Sequence, residues 1–211
     1  VLENIKRSNI KMSTYRSLQT RFNDANVPVY CEFIIGLPGE TYETWVSGIS
    51  EVLKSGLKNQ LFVYLCQVYP NTELADPEYQ KKFGIVTRTI DLAEIHGAIR
   101  PVGQVTEYED VVIASDSMSL EQWRKIVEFS WMTMLLHSMK LGFFVMAYLA
   151  DRYGTKYVDF VEHMMESGSS GASKTILARE VASLFAYTTD LMQGQGRGVH
   201  LAGYGDIYWD A

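Results

Sequence analysis

Two short apolar runs on either side of a helix-period segment constrain this chain more than any other feature of its sequence. The first is Val29-Tyr30-Cys31-Glu32-Phe33-Ile34-Ile35, and the second extends from Leu61 to Val68. A short, nearly continuous apolar run bounded by turn residues is the pattern of a strand buried in a parallel sheet. Gly36-Leu37-Pro38-Gly39 closes the first run. Thr41 then caps a helix carrying Trp45, Ile49, Val52 and Leu53 along one side. Gly56 stops that helix, and Tyr69-Pro70-Asn71-Thr72 follows the second run. Strand, helix, strand with short connections is a right-handed βαβ unit, so the expected class is α/β.

The flanking sequence changes character along the chain. Val1 to Lys11 is polar, carries no signal-peptide pattern and reads as a helix already under way. With no initiating Met, the chain is expected to be an excised fragment. Ser13 or Thr14 is the expected cap of a helix reaching about Ala25, with Tyr15, Leu18 and Phe22 on one face; Asn26 closes it and Pro28 blocks its continuation. Residues 86–118 look irregular apart from a strand at Val111–Ala114. From Ser119, a cap with Gln122 at N3, the remainder is mostly helical. Trp123, Ile126 and Val127 begin one helical period, and Tyr157, Phe160, Val161 and Met164 carry another. Ser167-Gly168-Ser169-Ser170-Gly171 reads as a flexible link, Ala172 to about Met192 as a further helix, and Gly194, Gly196 and Gly198 as a loop. The expected division is 1–85, 86–118 and 119–211, with no internal repeat.

Charge and cysteine content narrow the partners. A net charge of −6 argues against nucleic acid held on a basic surface. Two cysteines, Cys31 and Cys66, each inside an apolar stretch, are too few for a disulfide framework and read as buried free thiols in a reducing, cytoplasmic compartment. The most apolar stretch, Phe129 to Ala150, is tested as a membrane span and rejected. Lys140 near its middle costs about 2.5–3.5 kcal/mol on insertion scales, and Gly142 is placed to end a helix as a C′ residue. Two buried helices with a turn at Lys140–Gly142 are expected, and no membrane partner.

Few residues carry chemistry. Gly168 to Thr175 approximates a phosphate loop, but Ser173 stands where a second Gly is required and no strand precedes it. Gly194-Gln-Gly196-Arg-Gly198-Val199 fails the dinucleotide fingerprint for a similar reason. His96, His137, His163 and His200 show no ligand spacing, so no metal site is expected. The informative stretch is Glu32 to Thr41. A parallel strand delivers its carboxyl end to the ligand crevice of an α/β sheet, and glycines there let a ligand approach the backbone. Glu32 is unusual, because a carboxylate inside a buried strand is costly unless it is paired with a Lys or Arg or is functional.

Glu32-Phe33-Ile34-Ile35-Gly36-Leu37-Pro38-Gly39-Glu40-Thr41 resembles the fifth-strand motif of radical S-adenosylmethionine enzymes, in particular the class with an N-terminal cobalamin-binding domain. Ile5-Lys6-Arg7-Ser8-Asn9-Ile10 resembles the segment after that family's fourth strand, and Tyr69-Pro70-Asn71-Thr72-Glu73-Leu74-Ala75 its sixth-strand loop. Glu107-Tyr108-Glu109-Asp110-Val111-Val112 and Met118-Ser119-Leu120-Glu121-Gln122-Trp123 resemble its C-terminal extension. The resemblance implies the second half of a partial (β/α)6 TIM-like barrel, followed by a mostly helical C-terminal extension.

It also implies S-adenosylmethionine, a four-iron, four-sulfur (4Fe-4S) cluster and cobalamin as cofactors of the parent, an iron-sulfur oxidoreductase or methyltransferase. By the same resemblance Arg7 and Glu32 contact the ribose or the methionine carboxylate and amine. The backbone around Ile34 and Gly36 lies along the adenine, and Glu40 is a further candidate, offset by one from the family's acidic position. The family has Gly where Glu32 stands. It holds its cluster with Cys-x-x-x-Cys-x-x-Cys after the first strand, and this chain has no such triplet. None of the three cofactors is therefore expected to bind tightly to this chain alone. Its expected partners are the N-terminal remainder of the parent, a small-molecule substrate, and a second copy through an exposed strand edge. Tyr64 or Gln67 is expected to face the barrel lumen. A non-catalytic interaction module with the same fold is the competing reading.

Overall fold

The computed structural model describes residues 1–91, 103, 105, 107–169, 175–194, 198–201 and 205–208. The βαβ unit forms as the sequence implies. Strand β1 (Cys31–Ile35) pairs in parallel with β2 (Leu61–Leu65), Glu32 opposite Phe62 and Ile34 opposite Tyr64, across helix α2 (Tyr42–Lys54). Thr41 caps α2 in a reciprocal box: its hydroxyl accepts from the Thr44 amide at 3.2 Å while the Thr41 amide donates to the Thr44 hydroxyl at 3.0 Å. Trp45, Ile49, Val52 and Leu53 are all buried.

Both strands are shorter than the apolar runs, because pairing ends them. β1 starts where the Cys31 amide first donates to the Gln60 carbonyl. After Leu65 the backbone of the second run changes partner. The Cys66 amide still donates to the Ile35 carbonyl, but the Cys66 carbonyl accepts from Val112 at 2.9 Å and the Val68 amide donates to Asp110 at 2.8 Å. Those last two partners belong to β4 (Tyr108–Ala114), which is antiparallel to β3 (Val86–Asp91) with a bulge at Val86/Thr87. β3 corrects the expectation of an irregular segment. Its sequence, Val-Thr-Arg-Thr-Ile-Asp, buries only Ile90, so it has no apolar run to announce it and is held by its ladder to β4.

The N-terminus also departs from expectation. Only Leu2–Ile5 is helical, as one 3-10 turn that ends in a left-handed Lys6. Helix α1 spans Met12–Asp24, and its N-cap is Lys11, which makes no side-chain cap bond. Ser13 and Thr14 lie inside the first turn, where a cap cannot act. The chain continues through α3 (Pro77–Phe83) to α4 (Leu120–Thr133), whose Ser119–Gln122 capping box is as expected. A π turn at Met134–Ser138 then leads into α5 (Phe143–Tyr153), α6 (Tyr157–Ser169) and α7 (Ile176–Met192). The proposed link therefore begins inside α6, and residues 170 and 171 lie outside the described residues. The start of the last helix at Ala172 and the glycine loop at Gly196 lie outside them as well. Gly198 opens a strand rather than a loop: β5 (Gly198–Leu201) pairs with β6 (Gly205–Tyr208).

One core joins the βαβ unit to the helices. α4 runs through its centre with Trp123, Ile126, Val127, Phe129 and Met132 fully buried. The Trp45 indole donates to the Ser130 hydroxyl at 2.9 Å across the α2–α4 contact. The helix pair α4 and α5 meets at 90°, and no single helix among the described residues is long and apolar enough to cross a membrane. The turn differs in detail from the expected one. Lys140, not Gly142, takes the left-handed conformation (φ 67°), its ammonium 4.0 Å from the Phe143 ring centre. Gly142 is the N-cap of α5, and a Cβ there would lie 2.9 Å from Leu136 Cδ2. α4 is buried as expected. α5 is not: Leu141, Phe144, Val145 and Tyr148 around it are exposed.

Candidate functional site

The carboxyl ends of β1 and β2 are gathered by side chains from distant parts of the chain. The Asn4 amide donates to the Pro38 carbonyl at 2.9 Å, and the Tyr79 hydroxyl donates to the Asn4 carbonyl at 2.6 Å. The Gly39 amide donates to the Ser117 hydroxyl at 3.0 Å, and Lys6 pairs with Glu73 at 2.7 Å. These bonds lay the N-terminal turn against the loop that follows β1. Gly36 makes that loop possible. Its φ is 105°, and a Cβ would meet the Val112 and Cys66 side chains at 3.2 and 3.3 Å, so β4 approaches β2 only past a residue without one.

Between the N-terminal turn, the start of α1 and β1 lies a cavity of about 830 Å³. Arg7, Glu32, Ile34 and Glu40 all line it, together with Tyr64. Gly36 does not; its place is the packing contact with β4. Four residues scattered over 34 positions of sequence thus reach one space. Arg7 and Glu32 make no ion pair among the described residues. The Glu40 carboxylate is engaged locally, accepting from the Thr44 hydroxyl at the start of α2.

Strand alternation settles which side chains share a face. Leu61, Val63 and Leu65 are buried toward the helices, while Phe62 is exposed and Tyr64 half-buried on the other side. Glu32 and Ile34 stand opposite Phe62 and Tyr64 and belong to that open face. Tyr30 extends it, its ring meeting Phe62 edge-on at 5.8 Å, while Phe62 stacks on Tyr64 at 6.4 Å. Of the two residues offered for the lumen, Tyr64 lies on this open face. Gln67 instead donates to Glu109 and accepts from the Tyr69 hydroxyl, because it lies where β2 has already turned to β4. Sequence reading passed over Tyr30 and Phe62. The period-2 alternation of aromatic and aliphatic residues in Leu61-Phe62-Val63-Tyr64-Leu65 was the signal for them. β1 has no second neighbouring strand among the described residues. The alternating bonds from Cys31 to Gln60 and from Cys66 to Ile35 direct the backbone groups of Glu32 and Ile34 to that free edge.

The cysteines are unsuited to metal chemistry. Burial raises the Cys31 thiol above its ordinary pKa and pushes Cys66 up to about 11, so both stay protonated at neutral pH. Two thiols are in any case one short of the three that a cluster triplet supplies. No group of three His, Cys, Asp or Glu side chains is gathered among the described residues. His137 is buried, and burial foremost, with the Lys140 charge adding to it, holds its pKa down at about 4.

No protein-family model matches the chain. Two curated relatives do. One is the cobalamin-dependent radical SAM methyltransferase TokK of Streptomyces tokunonensis, 29% identical over 166 residues, which are 79% of this chain and 24% of the relative. The other is the 2-(S-pantetheinyl)-carbapenam-3-carboxylate methyltransferase of Streptantibioticus cattleyicolor, with the same identity and the same coverage. The chain spans about a quarter of the length of the curated relatives it matches.

Proposed function

We propose that this chain is part of a longer cobalamin-dependent radical S-adenosylmethionine methyltransferase, in which it forms the second half of the partial barrel and the helical extension. The observation that carries this reading is the 166-residue similarity to two methyltransferases, one of them named as cobalamin-dependent and radical SAM, of which it covers a quarter. In that assembly the chain supplies one wall of the S-adenosylmethionine pocket and the substrate side. A strand from the preceding part of the polypeptide pairs with the free edge of β1.

The roles of individual residues follow from chemistry. Arg7 presents a planar fork that binds both oxygens of the methionine carboxylate. Glu32 accepts hydrogen bonds from the ribose hydroxyls or the methionine ammonium. The backbone of Ile34 to Gly36 runs along the adenine, and Glu40 orders the turn beside it through Thr44. A four-iron, four-sulfur cluster, when bound, supplies the electron that cleaves S-adenosylmethionine. The two protonated thiols of this chain do not fit it, so its ligands, and the bulk of the cobalamin site, belong to the rest of the polypeptide. The second reading is a non-catalytic module that retains the fold.

Calorimetric titration of the longer polypeptide with S-adenosylmethionine tests the pocket. Arg7→Ala and Glu32→Ala should each weaken binding by about 1–3 kcal/mol, the scale of a charge-assisted hydrogen bond. Wild-type affinity in both variants, with the fold intact, removes these residues from the site. A longer polypeptide that lacks the cysteine triplet favours the non-catalytic module.

A further inference from the structure

Two walls of the cavity are tied to each other and to two more distant parts of the chain. The N-terminal turn contributes Leu2, Ile5 and Arg7 to the lining, and the loop after β1 contributes Leu37 and Glu40. The Asn4 side-chain amide joins these walls at the Pro38 carbonyl, next to Gly39, whose own amide donates to the Ser117 hydroxyl. Ser117 lies in a turn closed by reciprocal backbone bonds between Ser115 and Met118, and Met118 is fully buried. Helix α3 anchors that turn: the Asp116 amide donates to the Phe83 carbonyl at 2.9 Å, at the end of the helix. Tyr79, four residues earlier in α3, returns to Asn4 through its hydroxyl. The four bonds form a closed circuit, from N-terminal turn to loop, to the turn before α4, to α3 and back. The Lys6–Glu73 ion pair runs beside the Tyr79 link, but both side chains are exposed and such a pair holds little. Neither end of the loop has slack. Gly36 packs on Val112, and at Gly39 (φ 93°) a Cβ would lie 2.8 Å from the Asn4 side-chain nitrogen.

A hydrogen bond in a closed ring restrains more than the two groups it joins, because opening any one link frees the rest. We propose that Ser117 and Tyr79, neither of which lines the cavity, are positioning residues that fix the spacing of its walls through this circuit. Ligand affinity in the cavity then depends on the turn before α4, and so on the helical extension. This deepens the function proposed above and rests on it for the ligand, S-adenosylmethionine.

Hydrogen exchange in the 211-residue chain and calorimetry on the longer polypeptide decide it. Ser117→Ala and Tyr79→Phe should each speed exchange of the Gly39 amide about fivefold, the scale of one neutral hydrogen bond. The double variant should exchange no faster than either single one, since a ring opens once. In the longer polypeptide each single variant should weaken S-adenosylmethionine binding about fivefold. Ser117→Thr, which keeps the hydroxyl, should restore it, with circular dichroism showing every variant folded. A Gly39 amide indifferent to Tyr79→Phe, or additive effects in the double variant, overturns the circuit. Faster exchange with unchanged S-adenosylmethionine affinity overturns the positioning role. A wild-type polypeptide that binds no S-adenosylmethionine removes the function proposed above, and the exchange results then decide the circuit by themselves.

Discussion

The two faces of the β1–β2 sheet are built from alternate residues of the same ten positions, yet they obey different rules. The covered face, with Phe33, Ile35, Leu61, Val63 and Leu65, packs on α2 and α4, and Leu61 and Val63 are 0% and 2% exposed. The open face, with Glu32, Ile34, Phe62 and Tyr64, carries a carboxylate and large rings that nothing among the described residues buries completely. Side chains that pack only for stability are expected to be apolar and close-fitting. Side chains left on the second face of a parallel strand are free to be chosen for what they bind. The difference teaches where to look for function in this chain.

The contrast is sharpest in stability. Trp45→Ala on the covered side removes a buried indole, its bond to Ser130 and its edge contact with Phe33. It should cost about 3–5 kcal/mol in urea unfolding. Phe62→Ala on the open face should cost no more than about 1 kcal/mol. Equal costs would mean that the open face is a structural core in this chain too.

A second difference lies in how the two sides treat charge. Glu128, on the helix that covers the sheet, is only 3% exposed, and burial raises its pKa to about 7 although Arg124 at 3.3 Å opposes the shift. The folded chain therefore holds this proton more tightly than the unfolded one. Below the ordinary carboxyl pKa the group is protonated in both states. As pH rises from about 4.5 to about 7 stability should fall, by about 3 kcal/mol, and then level off. Unfolding free energies measured from pH 4 to pH 8 check this, with Glu128→Gln expected to flatten that part of the profile. A wild-type profile that rises through this window would contradict it.

The smallest expected effect concerns the free edge of β1. In the isolated chain it should pair with a second copy, weakly, with a dissociation constant on the order of 0.1 mM, since a five-residue edge offers few hydrogen bonds. Light scattering over a concentration series, with hydrogen exchange at residues 29–35, reads this directly. A strict monomer that exchanges rapidly along that edge would show that the open side needs no partner.

Much of the fold was legible because its signals are local. The Thr41 and Ser119 caps, the apolar stripe of α2 and the turn residues after each strand act over three or four positions, and each appears where the sequence implies. The candidate residues were legible in part. Arg7, Glu32, Ile34 and Glu40 reach one cavity, whereas Gly36 serves the approach of β4. The alternation that places Phe62 beside Glu32 was written in the strand, but its register against β1 was not.

The sequence by itself determined the βαβ unit, the capping of α2 and α4, and the shortage of cysteines, because each depends on residue type and near neighbours alone. Only the tertiary structure decided that Val86–Asp91 is a strand, that the backbone after Leu65 turns from β1 to β4, and that Lys140 rather than Gly142 takes the left-handed position. It also decided which strand face stays open. The new strand, the turn to β4 and the open face are each fixed by groups many residues distant: the β4 ladder, the Val112 amide and the helices α2 and α4. A backbone group takes whichever partner the packed core brings within reach, and a side chain faces whatever that pairing leaves beside it.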